Sequence, residues 1–200
     1  MNLASVIALA LSVSVCTVQA QESPQWLLRA GVHPIQPKPR NHEQLHVGDA
    51  AAVSIAATYM VTRRWGMEVF AALPVTHDVT LRDTGKVAEI RQLPATMSLQ
   101  YHFFEQSGRI RGYIGAGVNY TTFMDEDATG ALAGTDLQLD SSLGLAAQAG
   151  LDFDLGRAWF VSIDARWFDI DTAARLNGAR LGTLEIDPYA FGMSIGRQLP

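Results

Sequence analysis

The chain is poor in the residues that several common kinds of site require. Its single cysteine among 200 residues, Cys16, lies in an apolar N-terminal segment. If that segment is removed on export, no thiol remains, which excludes disulfides, thiolate metal sites and cysteine nucleophiles. Charged residues make up 18% of the chain and the net charge is -5, with Lys and Arg scattered singly. This distribution excludes the basic stripe that a nucleic-acid partner needs.

Long apolar runs are also missing beyond the N-terminus. Residues 3–15 are apolar, and Val18-Gln19-Ala20 has the small-x-small pattern of a cleavage site. We expect residues 1–20 to be a signal peptide and residues 21–200 to be the mature domain. The alternative is a retained anchor, although the run is short for a membrane span. Later runs are shorter than a membrane helix, so any membrane crossing has to use strands.

What the chain does have is a repeated two-sided pattern, clearest in residues 111–123. Ile114 and Val118 fall on one side of an extended segment, whereas Gly117 and Asn119 fall on the other. One face is therefore bulky and apolar, and the other is small or polar. A narrow barrel cannot enclose so many large residues, which indicates that the apolar face meets lipid.

The same pattern recurs in eight segments. The predicted strands cover residues 26–33, 50–62, 66–76, 95–103, 111–123, 142–153, 159–168 and 188–196. The connections alternate between long and short, which is typical of a barrel with short periplasmic turns and long extracellular loops. The sequence therefore predicts an all-β fold, an eight-stranded antiparallel transmembrane β-barrel in the outer membrane.

The opposite assignment of faces is costly. It would expose Arg29, Glu68 and Arg166 to lipid, at about 2 to 4 kcal/mol for each arginine near the midplane. It would also crowd aromatic rings into a lumen that eight strands make only just wide enough for side chains. Aromatic residues near strand ends are expected at the membrane interfaces. They are Trp26, Trp65, Tyr101, Trp159 and Trp167.

Several short pieces, in this order, resemble the outer membrane protein W family of small bacterial barrels. They are Ala57-Thr58-Tyr59-Met60, Glu68-Val69-Phe70-Ala71-Ala72, Leu93-Pro94-Ala95-Thr96, Tyr101-His102-Phe103, the run YIGAGVNYTTF at residues 113–123, and Asp187-Pro188. The resemblance covers essentially the whole mature chain. One departure is Leu199, which stands where such barrels usually end in an aromatic residue read by the assembly machinery.

The resemblance implies a narrow channel that admits small hydrophobic molecules, as some members act in alkane uptake and others as colicin receptors. It implies no enzyme activity, no cofactor and no metal. The expected partners are membrane lipid, small apolar solutes and the barrel assembly machinery, with no nucleic acid. The sequence names neither the solute nor an oligomeric state.

Three sets of residues are candidates for the site within this barrel. Large residues on the small inner face are expected to form an apolar path or constriction in the upper barrel, with lumen filling as the alternative role. They are Phe70, which lies on the family's Glu-x-Phe strand, Met60, Tyr113, Phe160 and Phe168. Polar residues below are expected to pair across strands and plug the lumen. They are Arg29, Glu68, Gln100, Arg111, Gln148, Asp164 and Arg166. Pro74 and Pro94 cannot donate to the sheet, which suggests a lateral exit between the third and fourth strands.

Other functions stay open at this point. His42-Glu43-Gln44-Leu45-His46 matches the zinc-protease pattern H-E-x-x-H, which needs a helix to bring both imidazoles together. Prolines before it and Gly48 after it argue against that helix. A non-conducting receptor whose loops bind partners is the main alternative, and a soluble, ligand-carrying barrel is another.

Overall fold

The fold is built from strands throughout the part of the chain that the structure describes. The computed structural model describes residues 25–36, 45–47, 50–81, 85–103, 109–128 and 133–200. The strands are β1 (Gln25–Gln36), β2 (Leu45–Val47), β3 (Ala50–Met60), β4 (Trp65–Ala72), β5 (Val75–Leu81), β6 (Gly85–His102), β7 (Ile110–Ala128), β8 (Leu137–Leu139), β9 (Ser142–Gly156), β10 (Trp159–Phe168), β11 (Asp171–Leu176), β12 (Ala179–Glu185) and β13 (Tyr189–Leu199). Within these ranges no helix is long and apolar enough to cross a membrane. The predicted signal peptide lies outside the described residues.

Eight of these strands close into a barrel. The order is β1-β3-β4-β6-β7-β9-β10-β13, each strand is antiparallel to its neighbours, and β13 pairs with β1. The strand β5 continues β4 beyond Leu73 and Pro74 and pairs with β6, while β2 pairs with β5. The prediction of an eight-stranded antiparallel barrel is confirmed.

The two ends of the barrel differ in their connections. Short turns join β3 to β4, β6 to β7 and β9 to β10, at the end that also holds the first residues of β1 and the last of β13. Longer connections and the extra strands lie at the other end. Since short turns face the periplasm in barrels of this kind, the longer segments are extracellular.

The assignment of the two faces is also confirmed. Leu143, Ile55 and Met193 point outward and are 73%, 62% and 64% exposed, whereas Glu68 and Arg166 point inward and are almost fully buried. A surface of large aliphatic side chains around the whole circumference is suited to lipid rather than water.

All four predicted long loops contain more sheet than their composition suggested. The strand β2 pairs with β5, residues 78–81 and 85–92 belong to the paired strands β5 and β6, and the strands β8, β11 and β12 form a three-stranded sheet at the extracellular end. Inward residues such as Ile90 stay apolar there, while outward residues such as Arg91 are polar. Above the bilayer the outward face meets water, so the lipid-facing half of the pattern disappears although the strand continues.

Candidate functional site

A buried polar layer crosses the lumen, and Glu68 lies at its centre. The Glu68 carboxylate accepts hydrogen bonds from Arg166 Nη1 at 2.8 Å, Gln100 Nε2 at 2.8 Å and Gln148 Nε2 at 3.0 Å. Thr58 Oγ1 donates a longer bond of 3.3 Å. The donors come from β3, β6, β9 and β10, so the carboxylate ties together strands around the lumen. Because Glu68 is fully buried, these bonds replace the water it loses on folding.

Two arginines form ion pairs with the carboxylates of this layer. Arg29 Nη2 lies 2.8 Å from Asp152 Oδ2, and its Nη1 lies 3.6 Å from Glu68. Arg166 Nε lies 2.8 Å from Asp164 Oδ1 while its Nη1 contacts Glu68. Each guanidinium thus contacts two carboxylates, which compensates the burial of the charges.

His33 extends the layer toward β3. His33 Nε2 lies 3.0 Å from Asp164 Oδ1, and its Nδ1 lies 2.8 Å from Ser54 Oγ. On the other side, His102 Nε2 lies 3.2 Å from Gln100 Oε1. The layer therefore runs across the lumen as a connected network of side chains.

The structure brings together six of the seven residues predicted to plug the lumen. Arg111 is the exception, because its Nη1 contacts Gln198 Oε1 at 3.2 Å near the periplasmic end instead of joining Glu68. The layer also contains buried His33, Thr58 and Asp152, which the sequence analysis did not include in the plug. The signal available was their polar side chain at an inward position.

Aromatic rings cover the charged layer on both sides. The Arg166 guanidinium carbon lies 4.0 Å from the centre of the Phe70 ring above. Below, the Arg29 guanidinium carbon lies 5.2 Å from the ring centres of both Tyr113 and Phe160. These cation–π contacts stabilise guanidinium groups that are removed from water.

The extracellular half of the lumen contains an apolar cluster beside buried polar residues, among them Gln92, Asn119 and Thr121. Phe70 and Phe168 stack there with ring centres 6.2 Å apart. Around them the buried apolar residues are Ile35, Ala52, Ala56, Ala72, Val87, Ala88, Ile90, Leu137, Ala146, Ile170, Leu184, Ile186 and Ala190. Leu137 and Leu184 of the extracellular sheet belong to this group, so that sheet packs against the upper part of the lumen. We call this set the upper apolar cluster.

A crevice lies where the upper apolar cluster meets the charged layer. It is too narrow for a water molecule, and its lining combines apolar and polar side chains. The lining residues are Thr96, Ser98, Ala146, Ala147, Gln148, Arg166 and Phe168. Phe168 and Arg166 thus line the same crevice at the boundary between the upper apolar cluster and the charged layer.

Three of the residues predicted for one apolar path lie elsewhere. Met60 and Phe160 pack with Leu27 in a second, smaller cluster, and Tyr113 stacks on His102 at 5.5 Å. Met60 is the last residue of the descending strand β3 and Phe160 is near the start of the ascending strand β10. Both therefore lie at the periplasmic end, and the prediction of a single path in the upper barrel is wrong for Met60, Tyr113 and Phe160.

The wall between β4–β5 and β6 has an interruption at the two prolines. The β4–β6 ladder ends at Ala71 opposite Ala95, and the β5–β6 ladder begins at Val75 opposite Gln92. Within the gap, Leu73 N donates instead to Val53 O of β3 at 2.8 Å. The hydrogen bonding of this wall is weakest where Pro74 and Pro94 were predicted to weaken it.

Most of the predicted interface aromatics form a belt at the periplasmic end. Trp26 contacts Tyr59 and Trp65 contacts Tyr101, each with ring centres 5.0 Å apart. Trp159 lies at the same end, whereas Trp167 pairs with Tyr189 toward the extracellular end. The rings mark the two levels at which the barrel leaves the hydrocarbon.

Few groups of described residues could bind a metal ion. His42 and Glu43 lie outside the described residues, and His46 lies in the strand β2, paired with Thr80, rather than in a helix. At the extracellular end, carboxylate oxygens of Asp169, Asp171 and Asp187 come within 4.8 Å of one another.

Two members of this aspartate group have structural roles. Asp169 accepts from Leu145 N at 3.4 Å and Asp187 accepts from Ile170 N at 3.2 Å. These bonds to backbone amides account for the positions of both carboxylates.

Comparison with known proteins assigns the family. The sequence model of the OmpW family matches residues 12–199. Outer membrane protein W of Escherichia coli is 35% identical over 189 residues, covering 88% of this chain and 89% of the relative. The Pseudomonas aeruginosa dibenzothiophene metabolism operon protein PahQ is 32% identical over 160 residues, covering 75% and 72%.

Solved structures agree with this assignment. The crystal structure of the outer membrane protein OprG from Pseudomonas aeruginosa superimposes with a TM-score of 0.78 at 28% identity, covering 92% of this chain and 99% of OprG. The chain therefore belongs to the OmpW family and is a β-barrel of the outer membrane.

Proposed function

We propose that this barrel carries small apolar molecules from the cell surface into the outer membrane. The observation that carries the proposal is the position of the upper apolar cluster above a sealed layer of paired charges. A solute that enters at the extracellular mouth meets aromatic and aliphatic side chains and then a polar floor. Its path downward is blocked, so it leaves sideways into lipid.

The charged layer supports this route because it opposes both ions and apolar solutes. A solute passing the layer would have to separate Arg166 from Glu68 or Arg29 from Asp152, each pair at 2.8 Å. Breaking one buried pair costs about 3 to 5 kcal/mol. An apolar solute offers no hydrogen bonds in return, so exit through the wall is less costly than passage through the layer.

The interrupted wall offers the sideways exit. The gap around Leu73 and Pro74 lies on the strand that also carries Phe70, three residues earlier in the chain. Opening the wall there breaks no ladder pairs to β6, because no residue between Ala71 and Val75 is paired with that strand. The name of the relative PahQ, which refers to dibenzothiophene metabolism, agrees with an apolar aromatic solute.

Uptake of a hydrophobic dye tests the proposal. The protein is inserted into vesicles with lipopolysaccharide in the outer leaflet, which slows entry of N-phenylnaphthylamine, and dye entry is followed by fluorescence. Phe70→Asp and Phe168→Asp place a carboxylate in the upper apolar cluster and are expected to abolish the protein-dependent rate. Unchanged uptake in both variants would refute the route.

A matched control places the same charge below the layer. Phe160→Asp puts a carboxylate near Arg29 and Arg111, whose guanidinium carbons lie 5.2 and 5.1 Å from the present ring centre. The new charge has partners there, and uptake is expected to stay at the wild-type rate. Folding of each variant is checked by its heat-dependent migration in electrophoresis.

A receptor function is the second candidate, and the folded extracellular sheet favours it. The strands β8, β11 and β12 form an ordered platform that carries exposed Arg175 and Arg180. A receptor of this kind would bind its partner through the platform and leave dye entry at the protein-free rate. The same vesicle experiment therefore distinguishes the two functions.

A further inference from the structure

We infer that the periplasmic rim of the barrel binds the phosphate groups of anionic phospholipids in the inner leaflet. Five exposed arginines lie at this end. They are Arg63, Arg64, Arg109, Arg157 and Arg197. We call them the periplasmic arginine ring. They belong to the β3–β4 turn, the start of β7, the β9–β10 turn and the end of β13, so they are distributed around the rim rather than gathered on one strand.

The ring has little negative charge beside it. Among the described side chains at this end, the exposed acidic group is Asp154, and its Oδ1 already accepts a hydrogen bond from Gly156 N at 2.6 Å. The described part of the periplasmic rim is thus positive, although the whole chain has a net charge of -5. A positive surface at headgroup level attracts anionic lipid over a Debye length, about 8 Å at physiological salt.

The extracellular end has the opposite balance. Among residues whose side chains the structure describes there, the acidic ones are Asp78, Glu89, Asp136, Asp140, Asp169, Asp171, Glu185 and Asp187, and the basic ones are Lys86, Arg91, Arg175 and Arg180. The charges are therefore sorted along the barrel axis. A surface that served only for solubility would not require different charges at the two ends. A rim that prefers anionic lipid requires basic residues at that end.

The aromatic belt holds the ring at the right depth. Arg64 Nη1 donates to Tyr101 Oη at 3.2 Å, and the Arg197 guanidinium carbon lies 5.4 Å from the centre of the Trp159 ring. Aromatic residues of such belts lie at headgroup level. Guanidinium groups attached to the belt are therefore placed next to lipid phosphates rather than in the open periplasm.

The residue type also fits phosphate. The chain has 13 arginines and only 2 lysines, and the basic side chains described at the periplasmic rim are all arginines. A guanidinium presents parallel N–H donors that bind two phosphate oxygens at once, which a lysine ammonium does not. The ring can thus hold a headgroup by geometry as well as by charge.

Tryptophan quenching by brominated lipids tests the proposal directly. Three of the four tryptophans, Trp26, Trp65 and Trp159, lie at the ring end, so quenching there reports lipid at the ring. The full-length protein is placed in bilayers that mix phosphatidylcholine with brominated phosphatidylglycerol or, separately, brominated phosphatidylcholine. We expect brominated phosphatidylglycerol to be preferred by about fivefold for each engaged arginine at low salt, and the preference to fall at about 0.5 M salt.

Two triple variants distinguish the effect of the periplasmic arginine ring from the effect of arginines at the extracellular end. Arg64→Gln, Arg109→Gln and Arg157→Asn together remove three ring charges on exposed turns, with Asn chosen for the positive φ of 55° at residue 157. The control combines Arg91→Gln, Arg175→Gln and Arg180→Gln at the extracellular end.

The proposal predicts that the ring variant binds phosphatidylglycerol and phosphatidylcholine about equally. The wild type and the extracellular control should still prefer phosphatidylglycerol. Equal preference in the ring variant and the wild type would overturn it, as would loss of preference in the extracellular control alone. A third arm adds soluble glycerophosphoglycerol. If it removes the preference at millimolar concentration, the ring binds soluble anions rather than the membrane and the lipid proposal fails.

Discussion

Replacing Glu68 by glutamine should weaken the barrel more than any comparable change at an exposed carboxylate. Glu68 is fully buried and contacts Arg166 at 2.8 Å and Arg29 at 3.6 Å. The amide keeps the shape of the side chain but offers the arginines a neutral acceptor. Both arginines would then depend on Asp152 and Asp164 alone for their compensating charge.

The magnitude follows from these contacts. Removing one partner of a buried ion pair costs about 3 to 5 kcal/mol. Because Arg29 and Arg166 each keep one carboxylate, we take the lower end, a loss of about 3 kcal/mol in the free energy of unfolding. Glu68→Ala also removes the acceptor for Gln100 and Gln148, so its loss should be larger than that of Glu68→Gln.

The assay is reversible unfolding in urea with the protein folded into lipid vesicles, followed by tryptophan fluorescence. The matched control is Glu89→Gln, which removes an exposed carboxylate at the extracellular end and should change the free energy by no more than about 0.5 kcal/mol. If the two glutamine variants unfold at the same urea concentration, the buried layer does not hold the strands together as described.

Three further predictions concern the wall, the lumen and the interface. Leu73→Cys with Leu93→Cys places two thiols across the interrupted wall, where oxidation should stop uptake of the hydrophobic dye and reduction should restore it. Gly196→Val should lower the unfolding free energy by about 1 to 3 kcal/mol, since a Cβ there would lie 2.2 Å from Phe160 Cζ. Trp65→Ala should cost about 1 kcal/mol through the lost ring pair, measured by the same urea titration.

Each of these changes has a control in the chain. Ala30→Cys with Ile195→Cys links the β1–β13 seam within the stretch from Trp26 to Val32, where its register is unbroken, and its oxidation should leave uptake unchanged; inhibition there as well would argue against an exit at the interrupted wall. Ala165→Val introduces the same final side chain on the lipid face of β10 and should be tolerated. Equal losses for Ala165→Val and Gly196→Val would contradict the tight fit around Phe160.

The barrel and its two faces could be predicted from sequence because lipid imposes a period of two on every spanning strand. Leu143 is apolar and points outward, whereas Glu68 is charged and points inward, so the side-chain type alone predicts the face in each case. That signal ends where the strand leaves the bilayer, which is why the β5–β6 hairpin and the extracellular sheet had the composition of loops. Outward Arg91 is as polar as a loop residue although its strand is continuous.

The height of a residue along the barrel axis could not be predicted in the same way. Alternation says whether a side chain points inward, but its level depends on the register between strands distant in sequence. Phe70 and Phe160 are both large inward residues, yet the register places one above the charged layer and one below it. Asp152 likewise meets Arg29 across 123 positions of the chain, a pairing that local pattern does not encode.

The most direct test of the central claim compares two dyes of nearly the same shape in vesicles containing the wild-type protein and an outer leaflet of lipopolysaccharide. N-phenylnaphthylamine is neutral and apolar, and anilinonaphthalene sulfonate adds one negative charge. An apolar cluster above a layer of paired charges predicts that the protein speeds entry of the neutral dye and leaves entry of the sulfonate at the protein-free rate. Equal acceleration of both dyes, or of neither, would contradict it.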